Sequence, residues 1–247
     1  MKRLLLALFL PGPLPALIPP PEEREMSADR PDTTESAFTV PQGRWQFEWE
    51  LLSVSSEGGQ RSRDWGGLNL KYGLTDSIDL QWVTPAWHDA HGPDGWTDTE
   101  LRLKWNLCGQ EDGGALALAL MPYVKLPTAS HGLGNGDVEG GFMIPMALTG
   151  LPFAWMVQAD VLRKEDDSGY TGALTLSATT GCELAPRLSG FVEAVATLPL
   201  HGDAQTYLNG GLVLEVTPNW MLDAGVNFGI NEAAEDWRAF TGVSFRF

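Results

Sequence analysis

The chain has 247 residues, with 16 Lys plus Arg against 32 Asp plus Glu, a formal net charge of −16. That balance excludes a general nucleic-acid binder, because phosphate contacts need clustered cations. An apolar content of 43% excludes a disordered acidic chain, and past the N-terminus no run of 18 apolar residues offers a membrane helix.

Met1-Lys2-Arg3 is basic, Leu4 to Leu10 is apolar, and Pro11-Gly12-Pro13 then breaks the run. This is the pattern of a secretory signal, too short to span a bilayer. Residues 1–26 are read as that signal plus a polar linker, with cleavage after Ala16 as one option and no Cys following for a lipid anchor. Residues 27–42 carry charges and prolines but no strand pattern. They are expected to be irregular and to fold back into the interior as a plug. Residues 43–247 are expected to form one domain.

From Arg44 the apolar period is two. Trp45, Phe47, Trp49 and Leu51 share one face, while Gln46, Glu48 and Glu50 share the other. The alternation predicts a strand. It returns at Leu68–Leu74, Ile78–Trp82, Thr99–Leu107, Leu116–Leu126, Val138–Met146, Phe153–Val161, Leu174–Ala178, Leu188–Ala194, Leu208–Val216, Trp220–Phe228 and Trp237–Phe247. These make about twelve strands, each roughly the 9–11 residues that a tilted strand needs to cross a bilayer. The apolar face carries no charged residue across all of them.

The connections alternate in length. Long ones are expected near residues 54–64, 88–97, 127–136, 163–169, 198–206 and 231–236. Short ones contain Thr75-Asp76-Ser77, Cys108 to Gly114, Thr149 to Pro152, Cys182 to Pro186 and Thr217-Pro218-Asn219. Membrane barrels show this asymmetry, with short periplasmic turns and longer outer loops. Aromatics gather at both ends. Trp45, Tyr72, Trp105, Trp155, Trp220 and Phe247 fall near the short turns, and Trp237 falls near a long loop. Two such girdles mark the two membrane interfaces. The pattern therefore predicts an all-β fold: an antiparallel up-and-down transmembrane β-barrel of about 12 strands in the outer membrane, both termini periplasmic. A soluble β-sandwich or lipocalin-like barrel also alternates, but its interior is too small for this many Leu, Trp and Phe side chains.

The inward face is then ionised. Its acids are Glu48, Glu50, Asp79, Glu100, Glu139, Asp160, Glu193, Glu215 and Asp223; its bases are Lys71, Arg102, Lys104, Lys125, Arg238 and Arg246. Either these charges pair and partly fill the interior, or they line a polar pathway with a preference for cations.

Three stretches carry a resemblance. Residues 28–48, ADRPDTTESAFTVPQGRWQFE, residues 120–136, LMPYVKLPTASHGLGNG, and residues 208–231, with DAGVNFGIN, resemble the opening, centre and closing hairpin of the MetA-pathway-of-phenol-degradation family. The likeness covers most of the mature chain. It implies a transporter-like outer-membrane barrel, sometimes linked to aromatic catabolism, and brings no catalytic or binding residues. The terminal Phe247, in phase with the lipid face, resembles the assembly signal of outer-membrane proteins. It implies the barrel assembly machinery as a partner through the last strand, beside outer-membrane lipid and lipopolysaccharide.

Little points to an enzyme. His88, His91, His131 and His201 all fall in outer loops. His88-Asp89 with His91 is the one protease-like cluster, and as metal ligands His88 and His91 lack further partners. Gly132-x-Gly134-x-Gly136 leads into a strand, so it is no phosphate loop. Cys108 and Cys182 sit in no metal motif. No cofactor, metal or catalytic residue is expected. Two readings remain: a channel or transporter for small solutes, aromatic or hydrophobic ones among them, and a sealed barrel displaying acidic loops such as Lys164-Glu165-Asp166-Asp167.

Overall fold

The protein was analysed as a computed structural model that describes residues 24–90, 92–110, 114–148, 150–163 and 169–247. Residues 1–23, with the expected targeting segment, lie outside them, as do His91 and the Lys164–Asp167 loop. Fifteen strands follow one another: β1 (Trp45–Glu57), β2 (Gln60–Trp65), β3 (Leu68–Thr75), β4 (Ile78–Val83), β5 (Trp87–Asp89), β6 (Gly95–Trp96), β7 (Thr99–Cys108), β8 (Leu116–Leu126), β9 (Glu139–Leu148), β10 (Phe153–Arg163), β11 (Tyr170–Ala185), β12 (Leu188–Pro199), β13 (Gln205–Thr217), β14 (Trp220–Gly229) and β15 (Trp237–Arg246). No helix occurs among the described residues.

Twelve of the strands, β1, β3, β4 and β7 to β15, pair antiparallel in a ring that β15 closes on β1. Closure removes every free edge, which a lipid-exposed sheet requires. Both ends of the barrel sequence meet at the short-turn end, where Trp45 and Phe247 exchange backbone hydrogen bonds of 3.0 Å.

The period of two sets what faces where. Trp82, Leu101, Leu208 and Leu212 stand 46–53% exposed on the outside, while Asp79, Lys104 and Asn209 on the same strands are 1–4% exposed inside. An exposed apolar belt this continuous is far larger than a soluble monomer tolerates. At the turn end, aromatic rings cover the seam: Phe47 and Phe245 stack with centroids 4.9 Å apart, as do Trp220 and Phe245. Trp45 leans on Tyr72 at 4.7 Å.

The structure corrects three expected connections. The first strand does not stop at Leu51. A bulge between Glu50 and Leu52 shifts the phase, so Ser53 and Ser55 now face inward and β1 runs on to Glu57. The expected long loop at 54–64 is therefore a hairpin, and β2 is its second arm. The loop at 88–97 likewise holds β5 and β6, which extend the sheet beyond the wall. Third, β11 continues through Cys182 to Ala185, and Pro186–Arg187 makes the turn, with Arg187 at φ 68°. Cys108 and Cys182 are both free thiols.

The interior is two-sided, which composition does not reveal. On β1, β3, β4, β7, β14 and β15 it is ionised. Toward the turn end of β8, β9 and β10 it is apolar, with Ala117, Ala119, Met121, Met143, Pro145 and Met156 almost fully buried. Ala37 and Phe38 from the N-terminal segment pack on this side against Ala117, Ala119 and Ala147.

Candidate functional site

The strands hold an irregular segment, residues 24–43, inside the barrel. A loop with no ladder leaves its backbone N–H groups without partners, and burial makes that costly. Carboxylates on the wall take up those donors. The amides of Asp29 and Arg30 donate to Glu48 at 3.1–3.2 Å. Those of Thr33 and Thr34 donate to Glu193 at 2.9 and 2.7 Å, and the Thr34 hydroxyl adds a third bond at 2.6 Å. The amide of Val40 donates to Asp79 at 3.0 Å. These are charge-assisted bonds, roughly twice as strong as neutral ones.

Side chains reinforce the hold. Asp29 receives Lys104 Nζ at 2.5 Å and also pairs with Lys71, which in turn pairs with Glu48. Arg30 makes a two-pronged contact with Asp223, at 2.8 and 3.2 Å, and lies over the Phe240 ring at 5.8 Å. Glu35 takes Arg102 at 2.6 Å. Asn106 donates to the Ala37 carbonyl at 2.8 Å. At the turn end Arg246 donates to the Arg24 carbonyl at 2.8 Å. The segment leaves past Gly73, where a Cβ would fall 2.0 Å from the Pro41 carbonyl oxygen, so only glycine admits this crossing.

The acids of the segment divide electrostatically, and none of them sits on a spanning strand. Burial alone would raise the Asp29 carboxyl, but Lys104 and Lys71 outweigh it and hold it well below the usual carboxylate range. Burial raises Asp32 to about 7, aided by Glu193. Burial and the neighbouring Asp29 raise Glu35 to about 8, against the pull of Arg102 and Lys104. One carboxylate oxygen of Glu35 is buried without a hydrogen-bond partner, which agrees with that direction.

The charged wall positions fall in four groups. Glu48, Lys71, Asp79, Lys104, Glu193 and Asp223 are buried and gathered around the segment or its ion pairs. Glu50, Glu100, Arg102 and Arg238 are half-buried. Arg238 reaches Glu50 at 2.7 Å, and Arg102 pairs with Glu100. Lys125 pairs with Glu139 and Asp98, and Tyr123 donates to Asp160, both away from the segment. Arg246 is buried at the turn end, whereas Glu215 stands exposed there beside Arg187. Of the aromatic positions, Trp105, Trp155, Trp220 and Phe247 are exposed on the outer surface, and Trp237 is half-buried at the long-loop end. His88 binds Asp64 rather than Asp89, Nδ1 to carboxylate at 2.6 Å, beside a pocket of about 410 Å³ in the loop ribbon. Among the described residues no group of three His, Cys, Asp or Glu side chains is arranged to hold a metal ion.

Two further cavities border Arg30, Asp32 and Glu35, so the segment is the partition between them. The one toward the loops, about 300 Å³, is the more polar of the two, with Glu48, Asn69, Asp98 and Arg102 beside Leu68, Val83 and Ala86. The one toward the turns, about 360 Å³, is apolar and lined by Pro31, Phe38, Leu151, Phe191 and Val213.

The model of the family described as "Putative MetA-pathway of phenol degradation" matches residues 28–247. The chain belongs to this family. The match begins inside the segment that crosses the barrel, so segment and wall belong to one family unit. Among solved structures, the COG4313 outer membrane channel from Pseudomonas putida F1 superposes with a TM-score of 0.61 at 15% identity, over 85% of this chain and 98% of that one. A CymD monoaromatic hydrocarbon channel gives 0.43 at 9% identity, over 84% and 88%. No curated protein matches by sequence. The first likeness establishes a shared barrel fold.

The sequence reading of residues 27–42 named no wall partners for them. Glu48, Lys71 and Lys104 were legible as inward charges, but Asp29 is the group that joins the two lysines. Inward Met121, Met143 and Met156 were missed because polarity, not strand phase, was used to choose the inner face.

Proposed function

We propose that the protein is an outer-membrane channel that passes small apolar or aromatic solutes, with both chain ends on the periplasmic side and residues 24–43 governing passage. The carrying observation is the partition itself. A closed barrel of a channel-containing fold holds a cavity on each side of one removable segment. The polar cavity toward the loops admits a solute from water, and the apolar cavity beyond desolvates it. Lipid covers the outer belt, lipopolysaccharide meets the loop end, and the barrel assembly machinery engages β15 during insertion.

Passage then depends on pH. Asp32 and Glu35 are raised to about 7 and about 8 when the segment is docked. A released segment in water would titrate near 4. Docking therefore binds protons, and its stability falls as pH rises from about 4 through about 8. The charges facing Glu35 are Asp29, Arg102 and Lys104, and those facing Asp32 are Glu193 and Asp29. Uptake of a neutral one-ring solute into proteoliposomes is expected, and is expected to be faster at pH 8.5 than at pH 6. The double substitution Asp32→Asn with Glu35→Gln is expected to flatten that difference. Proteoliposomes no leakier than empty vesicles at either pH would contradict the channel reading and favour a sealed barrel.

A further inference from the structure

One row of inward residues runs across four neighbouring strands. Phe191 on β12 pairs with Gly211 on β13, Gly211 with Gly225 on β14, and Gly225 with Phe240 on β15. The two rings lie down over the two glycines from opposite sides. A Cβ on Gly211 would fall 2.6 Å from Phe191 Cε1, and one on Gly225 would fall 2.6 Å from Phe240 Cζ. Each ring thus occupies the space of an absent side chain and shields bare backbone, an aromatic rescue of a glycine. The two rings differ in what lies above them. Phe240 is buried and covered by the Arg30 guanidinium. Phe191 is half-buried and borders the apolar cavity on the turn side.

The position of the Phe191 ring therefore sets how much of that cavity is open. At about 360 Å³ the cavity exceeds the roughly 150 Å³ that suffices for benzene in a dry apolar site. It has room for one or two rings. Its walls at Pro31, Phe38, Leu151 and Val213 are apolar, while its charged lining is Arg30, whose guanidinium is already paired with Asp223 and Glu50, and the carboxyls of Asp32 and Glu35. We propose that this cavity is a binding site for uncharged one- or two-ring solutes, with Phe191, seated on Gly211, fixing the size limit and Asp32 with Glu35 rejecting anions. The site is a step of the channel proposed above, and its biological role rests on that reading.

Binding and passage are measured separately. The probes are fluorescent: naphthalenemethanol as a neutral two-ring solute, naphthoate as its anionic counterpart, and pyrenemethanol as a larger neutral one. Titrated into the detergent-solubilised full chain at pH 8.5, with protection of residues 24–43 from protease verifying that the segment is still docked, naphthalenemethanol is expected to bind, with naphthoate and pyrenemethanol each weaker by roughly tenfold or more. Phe191→Ala is expected to remove most of the penalty on pyrenemethanol, and Phe191→Trp to weaken naphthalenemethanol. Asp32→Asn with Glu35→Gln is expected to bring naphthoate close to naphthalenemethanol without changing the size order. Heat-modifiable gel migration verifies that each variant is folded; a direct change at Gly211 is avoided because a Cβ there also meets the Ala224 carbonyl oxygen at 2.5 Å. An unchanged size order in folded Phe191→Ala, naphthoate binding as tight as naphthalenemethanol in the wild type, or no binding of any probe would overturn the assignment. Binding with the expected order but no uptake into proteoliposomes would instead contradict the channel reading and leave the site standing.

Discussion

Replacing Asp29 with leucine is expected to free the N-terminal segment from the barrel interior. Lys71 and Lys104 are each 1% exposed, and Asp29 joins them. Without it, Lys104 retains only Asp79 nearby and Glu35 at 4.0 Å, and Lys71 retains Glu48. Removing one partner of a buried ion pair costs about 3–5 kcal/mol, because the remaining charge stays desolvated. Asp29 also accepts the Ser36 amide at 2.8 Å, so the fold of the segment itself loosens. Undocking lets water reach the lysines and relieves the penalty. The wall, held by its own ladders, is expected to survive. Protease accessibility of residues 24–43 measures this: rapid cleavage in Asp29→Leu with an intact, heat-modifiable barrel is expected, and wild-type resistance would show that the lysines do not depend on this carboxylate.

A lysine at Leu212 is expected to destabilise the barrel by about 2–4 kcal/mol, the cost of a cation facing lipid near the bilayer midplane. Leu212 sits in the middle of β13, 47% exposed, paired with Gly190 and Ala224. The same substitution on a water-facing surface would fall within about 0.5 kcal/mol, so the result discriminates lipid from water as the outer solvent. Asn209→Lys, three residues away but inward and beside Glu193, supplies the opposite environment. Urea unfolding in vesicles, followed by gel migration, reads both. A Leu212→Lys midpoint equal to wild type would contradict a lipid-facing belt.

The wall was legible in the sequence because one rule governs it. Strand phase fixes the face of each residue, and Trp82, Leu101 and Leu212 need no partner other than lipid to explain them. The rule failed where the phase shifts. The bulge at Glu50–Leu52 turned β1 inside out locally, and a pattern that assumes strict alternation reads such a shift as the end of a strand. The interior was half legible. Its charges could be placed by phase, but which of them meet depends on register between strands and on a segment without a period. Asp29, Arg30 and Glu35 contact wall residues 18 to 193 positions away, and no local pattern encodes such distances. The glycine trough under Phe191 and Phe240 was hidden for a related reason: Gly211 and Gly225 are inward only as a cross-strand pair.

Single-channel recording in planar bilayers tests the account most directly, comparing the full chain with one that lacks residues 27–42. The segment is bound on opposite walls, at Asp79 on β4 and at Glu193 on β12, so its removal joins the two cavities into one path. A conductance several times that of the full chain, with cations favoured by the uncovered Glu48, Asp79 and Glu193, is the expected result. Equal conductance from the two proteins would mean that residues 27–42 do not stand in the way of solutes.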